Sequence, residues 1–132
     1  MWYGMYTIAQ EVAVSHVGYM ESGDGIHWER PARELRDAGP IQFGNSVIDE
    51  GPDWPDAATR YKLAWWHNGG MNLAVSPDGI DWAMLASYPV LAHNHDIVNI
   101  TWDPIRERYV ATISVYTTGP AWSGNRRCTM QS

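Results

Sequence analysis

Ser22-Gly-Asp-Gly-Ile-His-Trp28 returns 54 residues later as Ser76-Pro-Asp-Gly-Ile-Asp-Trp82, with five of the seven positions identical. Each copy follows a strand-like run, His16 to Glu21 in one case and Met71 to Val75 in the other, and precedes a short strand that ends in the tryptophan. An Asp-Gly pair between two such runs is a strong hairpin signal, because glycine and, less readily, aspartate accept positive φ. Repetition at a fixed spacing decides architecture before any single element does.

A second element repeats around the first. Arg60-Tyr-Lys-Leu-Ala-Trp-Trp66 and Arg108-Tyr-Val-Ala-Thr-Ile-Ser114 stand 48 residues apart, and Met1 to Tyr6 looks like the same strand entered part-way. Before each complete copy comes a further strand and a turn rich in Pro and Asp: Asn45 to Asp49 with Pro52 to Asp56, then Asp96 to Trp102 with Asp103-Pro104. The unit therefore reads as four strands: inner strand, Arg-Tyr strand, strand before the Asp-Gly turn, and short outer strand. That is the pattern of an all-β propeller blade made of four antiparallel strands. Residues 1–30 form a blade lacking its inner strand, 45–85 a complete blade, and 95–132 a blade lacking its outer strand; 31–44 and 86–94 connect them. Ala32 to Ala38 is the one stretch with a helical pattern. Propellers close with four to eight blades, so five would need about 260 residues. Two and a half blades would leave open strand edges, and the expectation is a natural protein that continues on both sides.

Composition agrees with a packed sheet protein. Of 132 residues, 45% are hydrophobic and 18% charged, which disfavours disorder. Eight Trp and seven Tyr against one Phe supply rings with a polar edge, suited to blade cores and to sugar faces alike. A net charge of -6, with Lys and Arg scattered except at Arg126-Arg127, offers no basic stripe for phosphates, so nucleic acid is not an expected partner. The single cysteine, Cys128, forms no internal disulfide and reads as a small buried apolar residue. No run of 18 apolar residues suggests a membrane span, and neither compartment nor oligomeric state is legible.

The repeated Ser-x-Asp-Gly-Ile-x-Trp motif, with Glu29-Arg-Pro31 after its first copy, resembles the five-bladed propellers related to glycoside hydrolase families 43 and 32. Ser46 to Asp49 through Lys62, and His95 to Asn99 through Val110, are similar to the inner-strand hairpins of bacterial members, and the likeness spans nearly the whole chain. It implies an oligo- or polysaccharide bound at one mouth of a central channel, with a carboxylate from the inner strand of each of three blades. Hydrolysis of furanose-type or related glycans would follow from two of them, one protonated and one ionised. Two complete inner strands can bring at most two of the three. No cofactor is implied beyond a structural calcium ion in the channel.

Asp96, at the start of an inner strand among His93, Asn94, His95 and Asn99, is the first candidate for a catalytic carboxylate; capping of its loop is the competing reading. Alternation puts Asp96 and Asn99 on opposite faces of a regular strand. Asp49 is the second candidate, although it runs into Gly51-Pro52 and reads more readily as a turn residue. His93, His95, Asn99, His67 and Trp66 are candidates for holding sugar hydroxyls and faces, with Trp66 also able to serve as core. His93 and His95 have no third ligand in view, so no metal site is expected. Asp24 and Asp78 should bond backbone N–H groups within their turns. Asp103-Pro104 is similar to the Arg-Asp-Pro motif of family 32, but Trp102 stands in place of the arginine and a connecting turn is expected.

Two other classes remain. A non-catalytic propeller could bind glycan or protein at the same mouth, since fold does not dictate function. A sialidase-like six-bladed protein would share the repeated turn, but that family's motif has one more residue between Asp and Gly. It also needs an arginine cluster, and Arg126 and Arg127 are adjacent and point to opposite faces of a strand.

Overall fold

The computed structural model describes residues 1–9, 12–36, 38–39, 44–117 and 125–131. They form three antiparallel sheets and no α-helix. The first pairs β1 (Trp2–Ala9) with β2 (Val12–Tyr19). The second is a meander of β3 (Ser46–Asp49), β4 (Tyr61–His67), β5 (Gly70–Ser76) and β6 (Ala83–Met84), with β7 (Leu91–Ala92) also on the β5 edge. The third joins β8 (Val98–Asp103), β9 (Arg108–Thr117) and β10 (Asn125–Gln131). Among the described residues the three sheets stand in an open row, the second in the middle.

That central position explains the hydropathy of β4. Leu63, Ala64 and Trp65 are consecutive and all essentially sealed from solvent, which a sheet with one wet face would not allow. Leu63 and Trp65 pack with Val17, Ala74 and Trp82 towards the first sheet, beside Trp2 and Tyr61. Ala64 packs with Met71, Val98, Ile100, Ala111 and Ile113 towards the third. In β8 only one face is covered: Val98 and Ile100 are buried while Asn99 and Thr101 are exposed.

The hairpin between β4 and β5 turns through Asn68 and Gly69, at φ 51° and 79°, the positive pair that a two-residue turn of type I′ demands. Asp56 caps a short 3-10 turn (Ala57–Thr59) that delivers the chain into β4.

Both copies of the repeated motif form the same turn. Ser22 Oγ accepts from the N–H groups of Asp24 and Gly25, and Asp24 Oδ1 from those of Ile26 and His27. Ser76 Oγ accepts from Asp78 and Gly79, and Asp78 Oδ1 from Ile80 and Asp81. Their surroundings differ. Ile80 and Trp82 are 6% and 7% exposed, Trp82 packed with Val17 of the first sheet, while Ile26 and Trp28 are 77% and 37% exposed.

Three expectations change. The short outer strand does not end in the tryptophan but follows it. Arg36 accepts from the Trp82 N–H and donates to the Ile80 carbonyl, so Ile80 to Trp82 is tied to the connecting segment and pairing with β5 begins at Ala83. The connector at 86–94 contributes β7, which continues the β5 edge that β6 leaves open. Residues 32–36 and 38–39 form no helix; Arg36 instead bridges in parallel to Asp81. The side chains of Arg126, Arg127 and Cys128, and the readings placed on them, lie outside the described residues.

Candidate functional site

Where β4 ends and β8 begins, the segment 93–97 crosses from the second sheet to the third. His93 N–H donates to the Gly69 carbonyl at 3.0 Å, and the Trp66 indole Nε1–H donates to the His93 carbonyl at 3.0 Å. The β4–β5 turn and Trp66 thus anchor the start of the segment. At its end, Val98 N–H donates to the Gly44 carbonyl at 3.3 Å. Gly44, at φ +79°, lies so close to the backbone of Asp96 and Ile97 that a Cβ would collide with both. Glycine is required there for its positive φ and for the close approach.

Ser114 of β9 closes the arrangement from across the third sheet. His93 Nδ1 lies 3.3 Å from the Ser114 carbonyl. A carbonyl can only accept, so Nδ1 carries the proton and Nε2 keeps its lone pair. His95 Nδ1 is hydrogen-bonded to the Ser114 hydroxyl. It also lies 2.7 Å from Asp96 Oδ1. That second approach is a close contact without a hydrogen bond, and Asp96 Oδ1 is buried without a hydrogen-bond partner. Nε2 of His93 is in the same condition. His93, His95 and Ser114 are buried, whereas the Asp96 side chain is 29% exposed and reaches solvent. Burial pushes the His93 imidazole below its ordinary value, and the neighbouring His95 adds to the effect against the opposing Ser114 carbonyl. His93 is therefore a neutral acceptor at physiological pH.

The sequence candidates divide accordingly. Asp96, His93, His95 and Trp66 come together, the first three linked through Ser114 and its neighbours. His67 does not join them: alternation along β4 puts it on the Leu63 and Trp65 face, towards the first sheet, opposite Trp66. Asn99 is exposed, on the face of β8 opposite Val98 and Ile100. Asp49 lies at the far end of β3, where Arg60 grips it through Nε at 2.7 Å and Nη2 at 2.9 Å while Gly51 N–H donates to it at 2.9 Å. The Arg60 guanidinium holds its carboxyl below the usual carboxylate range despite partial burial. That geometry is a hairpin clamp. Asp103 likewise accepts from the N–H groups of Ile105 and Arg106 within its own turn, as a connecting aspartate does.

Ser114 carried no sequence signal beyond being a hydroxyl at the end of a hydrophobic run. A second cluster that the sequence did not announce lies at the Asp49 end. Glu50 bonds Tyr109 OH and holds Lys62 Nζ at 2.8 Å, and Lys62 also covers the Trp54 ring at 4.1 Å. Charge is matched within this cluster, which ties the second sheet to the third. Beside it a largely apolar cleft of 340 Å³ is walled by Leu73, Val75, Leu85, Leu91, Ile100 and Tyr109.

Among the described residues no three His, Cys, Asp or Glu side chains gather as a metal-binding group. No described helix is long and apolar enough to cross a membrane. No family model, curated protein or solved structure matches the chain.

Proposed function

We propose that the three sheets are consecutive blades of a β-propeller of the type related to glycoside hydrolase families 43 and 32, and that the Asp96 end binds glycan. The repeated turn and the four-stranded order of the second sheet support the architecture. The observation that carries the function is the buried, unpartnered His93 Nε2 near Asp96, whose carboxylate reaches solvent and whose buried Oδ1 makes no hydrogen bond. Buried polar groups without partners are rare in folded proteins and call for a ligand or a bound water. Both atoms require a donor, and a sugar offers several hydroxyl donors on an apolar face that an indole such as Trp66 can stack against.

In the hydrolytic reading Asp96 is one member of a carboxylate pair that cleaves a furanose-type or related glycosidic bond. The described residues supply one carboxylate at this mouth, since Asp49, Glu50 and Asp103 sit at the opposite end. That distribution favours a second reading, a propeller that binds glycan without cleaving it. Sugar release from arabino-, fructo- and xylo-configured oligosaccharides, measured for the wild type and Asp96→Asn, separates the two. Cleavage that falls about a hundredfold or more in the variant assigns Asp96 to acid, base or nucleophile work. Binding without cleavage, weakened by the same substitution, selects the binding module. Neither cleavage nor binding would refute both.

A further inference from the structure

We propose that Ser114 is the positioning residue of this site: its carbonyl sets the tautomer of His93 so that Nε2 receives a ligand hydroxyl, and its hydroxyl holds His95 against Asp96. This inference rests on the glycan-binding reading and assigns roles within the same site.

The two groups of Ser114 differ in what they can bond. The carbonyl accepts only, and it faces His93 Nδ1. With the proton placed there, the buried ring presents a lone pair at Nε2 that no described residue satisfies. The hydroxyl donates and accepts, and it meets His95 Nδ1 beside Asp96. Asp96 Oδ1, 2.7 Å from the same nitrogen, makes no hydrogen bond of its own and is a second buried acceptor. Ser114 N–H is itself held by the Ile97 carbonyl at 3.1 Å, so its backbone cannot drift from the segment it orients. Two acceptors three residues apart, set from one serine, select a ligand that donates twice. A neutral polyol does so; a carboxylate or phosphate, which only accepts when ionised, is rejected by the same atoms.

The test is 15N–1H correlation spectroscopy of the histidine rings in the full chain, with and without arabino-, fructo- and xylo-oligosaccharides. In the unliganded wild type, His93 should be protonated on Nδ1 and unprotonated on Nε2; the reverse overturns the inference with no ligand needed. With a bound oligosaccharide, the His93 Nε2 resonance should move. If the Trp66 indole responds while His93 Nε2 stays, the inference fails and the glycan reading survives. If neither responds to any of the sugars, both fail. Ser114→Ala should shift the His95 resonances and weaken binding about tenfold, the worth of one hydrogen bond, yet leave the His93 tautomer unchanged because the carbonyl remains. Ser114→Thr should restore both properties. A variant that shifts neither His95 nor the affinity overturns the positioning role, and so does one that disturbs His93 and His95 alike, as general loosening would.

Discussion

Replacing Asp78 by alanine should cost the fold about 2–4 kcal/mol, while the same change at Asp24 costs markedly less, although the two aspartates accept the same backbone hydrogen bonds and Asp24 has a further, fully exposed one to the His27 ring. Asp78 Oδ1 accepts from the N–H groups of Ile80 and Asp81, both at 2.9 Å. Ile80 is buried, so water cannot readily replace the lost acceptor, and each unmet buried donor costs about 1–3 kcal/mol. The ion pair between Asp78 and Arg33, at 2.7 Å with both side chains partly exposed, adds about 0–1 kcal/mol. A separate route gives a similar figure. Burial alone would raise the Asp78 pKa, but the Asp81 and Ile80 N–H groups, the Ser76 hydroxyl and Arg33 together bring it from 3.8 down to about 2. At about 1.4 kcal/mol for each tenfold change, that favours the folded state by roughly 2 kcal/mol when Asp78 is ionised, an upper figure because 31% of the side chain is exposed. At Asp24 the surroundings are open, and water takes over the freed donors. Urea denaturation followed by tryptophan fluorescence and far-UV circular dichroism measures both losses. Because the folded-state pKa is depressed, the contribution is complete above 3.8 and lost as pH falls through about 2, so wild type and Asp78→Ala should converge over that interval. Equal losses for the two substitutions, or a loss at Asp78 below about 1 kcal/mol, would refute the claim that burial of the turn sets the cost.

The glycine of the same turn gives a parallel pair. Gly25→Ala, at φ +76° with open space around its Cβ, should cost about 1–2 kcal/mol from the backbone alone. Gly79→Ala, at φ +75°, adds a Cβ 2.5 Å from the Trp2 ring and displaces the indole that donates to the Gly79 carbonyl at 2.7 Å. It should cost clearly more in the same urea titration and should change the tryptophan emission. For His93 the depressed pKa means that the unfolded chain binds the extra proton more readily. Stability should therefore decline as pH falls below 6.5 and level off once the folded-state value is passed. Subtracting the profile of His93→Phe isolates that component, and a difference that does not vary with pH would contradict the assignment of a neutral buried ring.

What the sequence alone determined is the part set by neighbours along the chain. The two Ser-x-Asp-Gly turns close identically because every hydrogen bond in them joins groups two or three residues apart. The Asn68-Gly69 hairpin and the strands on either side follow from φ preference and apolar runs in the same way. Asp96 was legible as a candidate because it stands at the start of a strand among polar residues, and the turn reading of Asp49 because of the Gly-Pro that follows. Tertiary structure decided whatever depends on what lies across a sheet or on its far face. It buried Ile80 and Trp82 and left their counterparts Ile26 and Trp28 outside. Trp66 was turned towards the third sheet and His67 towards the first, a distinction that depends on which face of β4 each neighbouring sheet covers. Ser114 was brought to His95 across 19 residues of chain and to His93 across 21. Such contacts are set by strand register and by the seating of one sheet on the next, and residue types in order do not encode either within any single stretch of the chain.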